Sequence, residues 1–144
     1  MAMPADCADK NFPLKELTYK IRGILFQVQN DLGTKFQEKH YCRGVASLFK
    51  QNGIPFKEQV PVKVFYKGEF LGAFKLDFLI ADLIVLEAKT TDWLTSEHTQ
   101  QMIRYLEATG KPVGFLVNFR KRPLEIKRVV LTNLRNQRRD SASA

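Results

Sequence analysis

Between Val60 and Thr90 the apolar side chains fall mainly on every second position, whereas on either side they recur every third or fourth. A strand sends alternate residues to opposite faces, and a helix gathers positions three and four apart into one stripe. This change of period, from helix to strand and back, is what most narrows the choice of fold. Leu17, Ile21, Ile24, Leu25, Val28 and Leu32 make one helical stripe, closed by Asn30-Asp31-Leu32-Gly33 with Gly33 as its C-terminal cap. A second helix is predicted from Gln37 to Gln51, with Tyr41, Val45, Leu48 and Phe49 inward and Asn52-Gly53 as its stop. Val60, Val62, Val64 and Tyr66 then alternate as a strand, Lys67-Gly68-Glu69 turns the chain, and strands follow over Phe70–Ile80 and Ile84–Thr90. Thr95 or Ser96 caps a third helix that ends near Thr109-Gly110, and two short strands, Val113–Phe119 and Ile126–Leu131, complete the order αα-βββ-α-β-β. That order predicts an α/β (α+β) layered domain, a central mixed sheet flanked by helices. The domain is expected over residues 15–132, after a flexible leader at 1–14 and before a basic polar tail at 133–144.

With 44% hydrophobic and 26% charged residues the chain has the balance of a globular domain with a real core. Cys7 and Cys42 are too few for a disulfide framework or a four-cysteine metal site, which points to a reducing, cytoplasmic setting. No run approaches the ~18 apolar residues of a membrane helix, and the acidic start lacks the apolar core of a secretory signal, so no membrane partner is expected. Charge is uneven: eight basic and two acidic residues lie from Arg120 onward, against 15 basic and 13 acidic before it. A cationic end on a nearly neutral body suits a polyanion, nucleic acid first and acidic lipid second, with a solubilising tail as the plain alternative.

The chemistry is concentrated in the apolar hairpin. Nine residues separate Asp77 from Glu87, and Lys89 lies two past Glu87. Glu87 and Lys89 therefore share a strand face, roughly 6–7 Å apart. A three-residue turn of Ala81, Asp82 and Leu83 places Asp77 opposite Glu87. The same register groups Leu76, Phe78, Ile80, Ile84, Leu86 and Ala88 on the other face. Facing carboxylates repel, so a bound cation, a shared proton or the neighbouring lysines must offset them. Oxygen ligands with retained water favour Mg²⁺ or Mn²⁺, and an adjacent lysine can orient or deprotonate water or neutralise phosphate. The inert alternative is a solvated ladder of alternating charges. Glu38, at the start of the second helix, has Tyr41 and Cys42 one turn on, and Gln101 and Tyr105 share a face of the third with His98 one turn earlier. Either helix could aim polar groups at the charged face. Each of these residues also has a structural reading: Glu38 as a helix-start charge, Tyr105 and Cys42 as packing, His98 as a cap, Trp93 as a core anchor or a base-stacking group.

Asp77, nine residues, then Glu87-Ala88-Lys89 resembles the D-(x)n-E-x-K core of the PD-(D/E)XK nuclease superfamily, and Gln101 to Tyr105 resembles its RecB-like Q-x-x-x-Y element. The wider chain is similar to the GxxExxY family. Leu32-Gly33, Glu38 with Tyr41, Val60–Gly68, Asp77 to Lys89, His98 to Leu106 and Gly114–Phe119 follow that family's order across about residues 15–131. Lys35 stands where the naming glycine falls, which bears on the loop before the second helix, and Leu76 stands where the superfamily's proline would be.

The resemblance implies a restriction-endonuclease-like three-layer core and phosphodiester hydrolysis in nucleic acid, DNA ahead of RNA. It implies metal ligation by Asp77, Glu87, the Ala88 carbonyl and Glu38, with Mg²⁺ or Mn²⁺ as cofactor. Lys89 would act on water or phosphate, and Gln101 and Tyr105 would contact substrate or hold Lys89. Arg120, Lys121 and Arg122 would meet the phosphate backbone. The small domain suggests a second copy or a helicase-like protein as partner. A catalytically weak or inactive nucleic-acid-binding module, or an adaptor of the same fold, is the competing reading.

Overall fold

A computed structural model of the chain describes residues 12–131. The elements are α1 (Phe12–Leu32), α2 (Glu38–Gln51), β1 (Phe56–Tyr66), β2 (Glu69–Ile80), β3 (Ile84–Lys89), α3 (Ser96–Thr109), β4 (Val113–Asn118) and β5 (Glu125–Val130). This is the order the periods predict. Two boundaries differ by more than a residue or two. The first helix already begins at Phe12, inside the expected leader, and β1 begins at Phe56, four residues before Val60. The basic residues Arg135, Arg138 and Arg139 and the rest of the expected tail lie outside the described residues.

The five strands lie in the order β1-β2-β3-β4-β5. Only β3 and β4 are parallel, because α3 carries the chain back between them; every other neighbouring pair is antiparallel. Pro61 is tolerated in β1 because that strand is an edge. The β1–β2 turn places Lys67 and Gly68 at φ 48° and 84°, and the β2–β3 turn places Ala81 and Asp82 at φ 52° and 58°. These are primed-turn conformations that follow the twist of the strands they join.

Two apolar cores sandwich the sheet. Ile21, Leu25 and Val28 of α1 and Tyr41, Val45 and Phe49 of α2 pack on Phe78, Ile80, Leu86, Ala88, Phe115 and Val117. Met102, Tyr105 and Leu106 of α3 pack on the opposite face, against Leu79, Val85 and Leu116. Gly114 lets α3 approach this closely, since a Cβ there would overlap Met102 Sδ. The result is an α/β three-layer domain consistent with a restriction-endonuclease-like fold. Among the described residues no helix is long and apolar enough to cross a membrane.

Strict alternation fails at one residue. Leu76 packs with the α3 core, not with Phe78 on the opposite face as expected. β1 and β2 pair Glu58 with Phe78 and Val60 with Leu76 but leave Gln59 and Asp77 out of the ladder. Gln59 has φ 49°, a left-handed conformation that rotates its peptide groups out of register. The strand therefore changes phase at Asp77.

Candidate active site

The β2–β3 ladder runs Ile80–Ile84, Leu79–Val85 and Phe78–Leu86, the register of a three-residue turn, and it brings Asp77 to Glu87. There the pairing changes kind. The Asp77 backbone N–H donates to Glu87 Oε1 at 2.9 Å, and the Ala88 backbone N–H donates to Asp77 Oδ2 at 2.9 Å. Each strand offers a carboxylate to an amide of the other. These charge-assisted bonds offset part of the repulsion between the two acids, an offset that side-chain patterning does not reveal.

Glu87 is only 5% exposed. Burial pushes its carboxyl up to about 8, and the Asp77 charge pushes the same way; the Asp77 amide and Lys89 pull it back. Lys89 does not form an ion pair with either acid: its Nζ donates to Gln101 Oε1 at 3.0 Å. Loss of water, and then the field of Asp77, raise the Glu38 carboxyl at the first position of α2, while Lys89 opposes this.

α2 is aimed by a buried knot. The fully buried Tyr41 hydroxyl donates to the Gly33 carbonyl at 2.6 Å and accepts from the Phe36 N–H at 3.3 Å. Its ring stacks on Phe119 at 4.5 Å. Within this loop Gly33 has φ 81°, whereas Lys35 is not left-handed, so a lysine is accommodated there. Cys42 packs beside the first core; burial, then the fields of Asp77 and the glutamates, push its thiol up and keep it protonated.

α3 presents Gln101 from the other side. Thr95 caps it: Thr95 Oγ1 accepts from the His98 N–H at 3.4 Å, and His98 Nδ1 accepts from the Thr95 N–H at 3.0 Å. His98 is thus a cap residue. Tyr105 is buried, with its ring stacked on Phe74 at 4.2 Å. Burial and the fields of Glu87 and Asp77 raise its phenol, and Gln101, beside the hydroxyl, opposes this. Lys89 is thus bonded to Gln101, with Tyr105 on the same face of α3.

The structure joins Asp77, Glu87, Ala88, Lys89 and Gln101 directly, and brings Glu38 within their field. Among the described residues no three Asp, Glu, His or Cys side chains form a ready cluster for an ion. Of Ala88, it is the amide whose partner is Asp77. Arg120, Lys121 and Arg122 are all exposed on the β4–β5 turn, and the Arg122 guanidinium also donates to the Gln29 carbonyl at a long 3.5 Å.

The donor set suits a divalent cation. Two carboxylates meet at a largely buried point, with no ammonium paired to them and with protonation of Glu87 favoured in place of charge. Mg²⁺ is commonly bound by one or two carboxylates while keeping several waters.

One residue that braces the site's surroundings escaped the sequence reading. Asn118 is fully buried at the end of β4 and ties the segment after Lys89 to the β4–β5 turn. The available signal was a lone amide closing the apolar run Val113–Val117.

A family model described as the PD-(D/E)XK nuclease superfamily matches residues 15–129. No curated protein matches the chain. Among solved structures, the crystal structure of SSO0001 is similar at 20% identity and a TM-score of 0.49. The similarity covers 62% of this chain and 47% of that one, so the chain matches about half the length of that structure.

Proposed function

Since the chain belongs to the PD-(D/E)XK nuclease superfamily, we propose that it is a metal-dependent nuclease that hydrolyses phosphodiester bonds, with DNA the preferred substrate. The observation that carries this reading is the interlocked Asp77–Glu87 pair beside a lysine held by Gln101. Asp77 and Glu87 would hold a divalent cation, Mg²⁺ or Mn²⁺, with Glu38 and the Ala88 carbonyl as further ligands. The cation supplies Lewis acidity toward a phosphoryl oxygen and lowers the pKa of water.

The chain's own residues do the rest. Glu87 must give up the proton that burial favours before it can act as a ligand. Lys89 brings a positive charge to the phosphate undergoing attack. Gln101 fixes the ammonium in one position, so less orientational freedom is lost at the moment of reaction. Tyr105, kept protonated and packed on Phe74, supports Gln101 or contacts substrate through its hydroxyl. Arg120 and Lys121 add sequence-independent contact to phosphate.

The narrower kinship with the GxxExxY family and its Q-x-x-x-Y element belongs to this proposal too, as do a cytoplasmic setting and a second copy or helicase-like partner. The test is cleavage of single- and double-stranded DNA and RNA in Mg²⁺, Mn²⁺ or EDTA. Cutting should need metal and be lost in Asp77→Ala, Glu87→Ala and Lys89→Ala. Binding that persists without any wild-type cutting would favour the inactive binding module.

A further inference from the structure

Asn118 is 0% exposed, and its amide is saturated. Oδ1 accepts from the backbone N–H of Thr91 at 3.1 Å and of Arg120 at 3.2 Å. Nδ2 donates to the Thr91 carbonyl at 2.9 Å and to Glu125 Oε1 at 3.2 Å. The same Glu125 oxygen accepts from the Leu94 N–H at 3.1 Å, and Thr91 Oγ1 donates to the Trp93 carbonyl at 3.0 Å. From the α1 side, Gln29 Nε2 donates to the carbonyls of Phe119 and Lys121 at 3.0 and 2.8 Å. One buried amide thus fastens two surface segments together: the connection from Lys89 to the Thr95 cap, and the turn carrying Arg120 and Lys121.

On that fastened connection Trp93 is 61% exposed. A large aromatic surface left in water is costly, and on a loose loop it would fold down onto the sheet. Here the hydrogen bonds fix the backbone on both sides of it. The segment starts at Lys89 and leads into the helix that carries Gln101. Lys89 and Asn118 are paired at the C-terminal ends of the two parallel strands, so the aromatic and cationic segments leave the sheet at the site's end. Asp92 precedes Trp93 and disfavours phosphate beside it, which leaves its ring face for a base.

We propose that Trp93 is a stacking platform for an unpaired nucleobase, with Arg120 and Lys121 taking neighbouring phosphates, so that the strand entering the site is single-stranded there. An exposed aromatic and exposed cations, carried on two segments whose backbones are fastened to each other, make the combination that holds single strands without reading sequence. The inference rests on the nucleic-acid reading above and adds the form of the substrate.

Trp93 is the chain's single tryptophan, so intrinsic fluorescence reports on it alone. The full chain in EDTA is titrated with an oligothymidylate of about 12 nucleotides, with an abasic oligomer of equal length, and with a duplex. The oligothymidylate should quench Trp93 emission, while the abasic oligomer and the duplex should bind without quenching. Trp93→Ala should weaken oligothymidylate binding by about 5- to 150-fold, measured by anisotropy of a labelled strand, and leave abasic binding unchanged. Trp93→Phe should recover most of the loss. Binding of oligothymidylate without quenching, or an equal loss for the abasic oligomer, overturns the stacking role and leaves the nuclease reading intact. Failure of all three to bind overturns both.

Discussion

Replacing Glu87 by Gln should abolish a pH dependence of folding that the native chain carries in the absence of metal. The substitution keeps the side chain's volume and an Oε1 acceptor for the Asp77 amide, but removes the ionisation. In the folded chain the Glu87 carboxyl holds its proton up to about 8, against an ordinary value of 4.5. The unfolded chain releases that proton first, so this group's contribution is most favourable below 4.5 and declines as pH rises toward 8. At about 1.4 kcal/mol per pH unit, the loss by pH 7 is on the order of 3 kcal/mol. Urea unfolding in EDTA at about pH 5 and pH 7 measures it, with Glu87→Gln and wild type side by side. The stability difference should move by about 2.5 kcal/mol in favour of the variant between the two pH values. A difference constant to within ~0.5 kcal/mol would refute the argument that burial and Asp77 together keep this carboxyl protonated.

Three further outcomes follow from the geometry. Gln101→Ala releases Lys89 Nζ from its 3.0 Å bond; in the cleavage assay it should lower kcat roughly 10-fold or more with little change in KM or in thermal stability. Asn118→Ala strands the buried polar groups that the amide now serves and should cost about 2–4 kcal/mol in urea unfolding. Replacing Arg120 and Lys121 by Ala should make the dependence of log affinity on log salt shallower by about 2, read from nucleic-acid titrations at several salt concentrations.

The hairpin was legible because apolar alternation chose between a two- and a three-residue turn. It selects the register that pairs Phe78 with Leu86, and a shift by one residue would have exposed the whole core face. What lay beyond the sequence was the break at Asp77. Nothing about glutamine as a residue type foretells φ 49° at Gln59, yet that one conformation moves Leu76 to the other core. It also coincides with the step at which side chains replace the backbone ladder. The start of β1 was hidden because Lys57, Glu58 and Gln59 are polar residues on an edge strand and carry no alternation. Tyr41 was placed correctly on its helix, but its bond to the Gly33 carbonyl joins residues eight apart through a loop that periodicity does not describe. Asn118 and Gln29 escaped for a related reason. A buried amide reads as an exception to a pattern, and its partners, such as the Phe119 carbonyl for Gln29, lie far off in the chain.

Mn²⁺ binding to the protein alone, without nucleic acid, tests most directly whether Asp77 and Glu87 hold an ion. Loss of the free-ion electron paramagnetic resonance signal counts the bound metal. At about pH 8.5 the wild-type chain should bind Mn²⁺, more weakly at about pH 6 where Glu87 keeps its proton, and Asp77→Asn and Glu87→Gln should each lose that binding. Equal Mn²⁺ uptake by wild type and both variants would contradict the account.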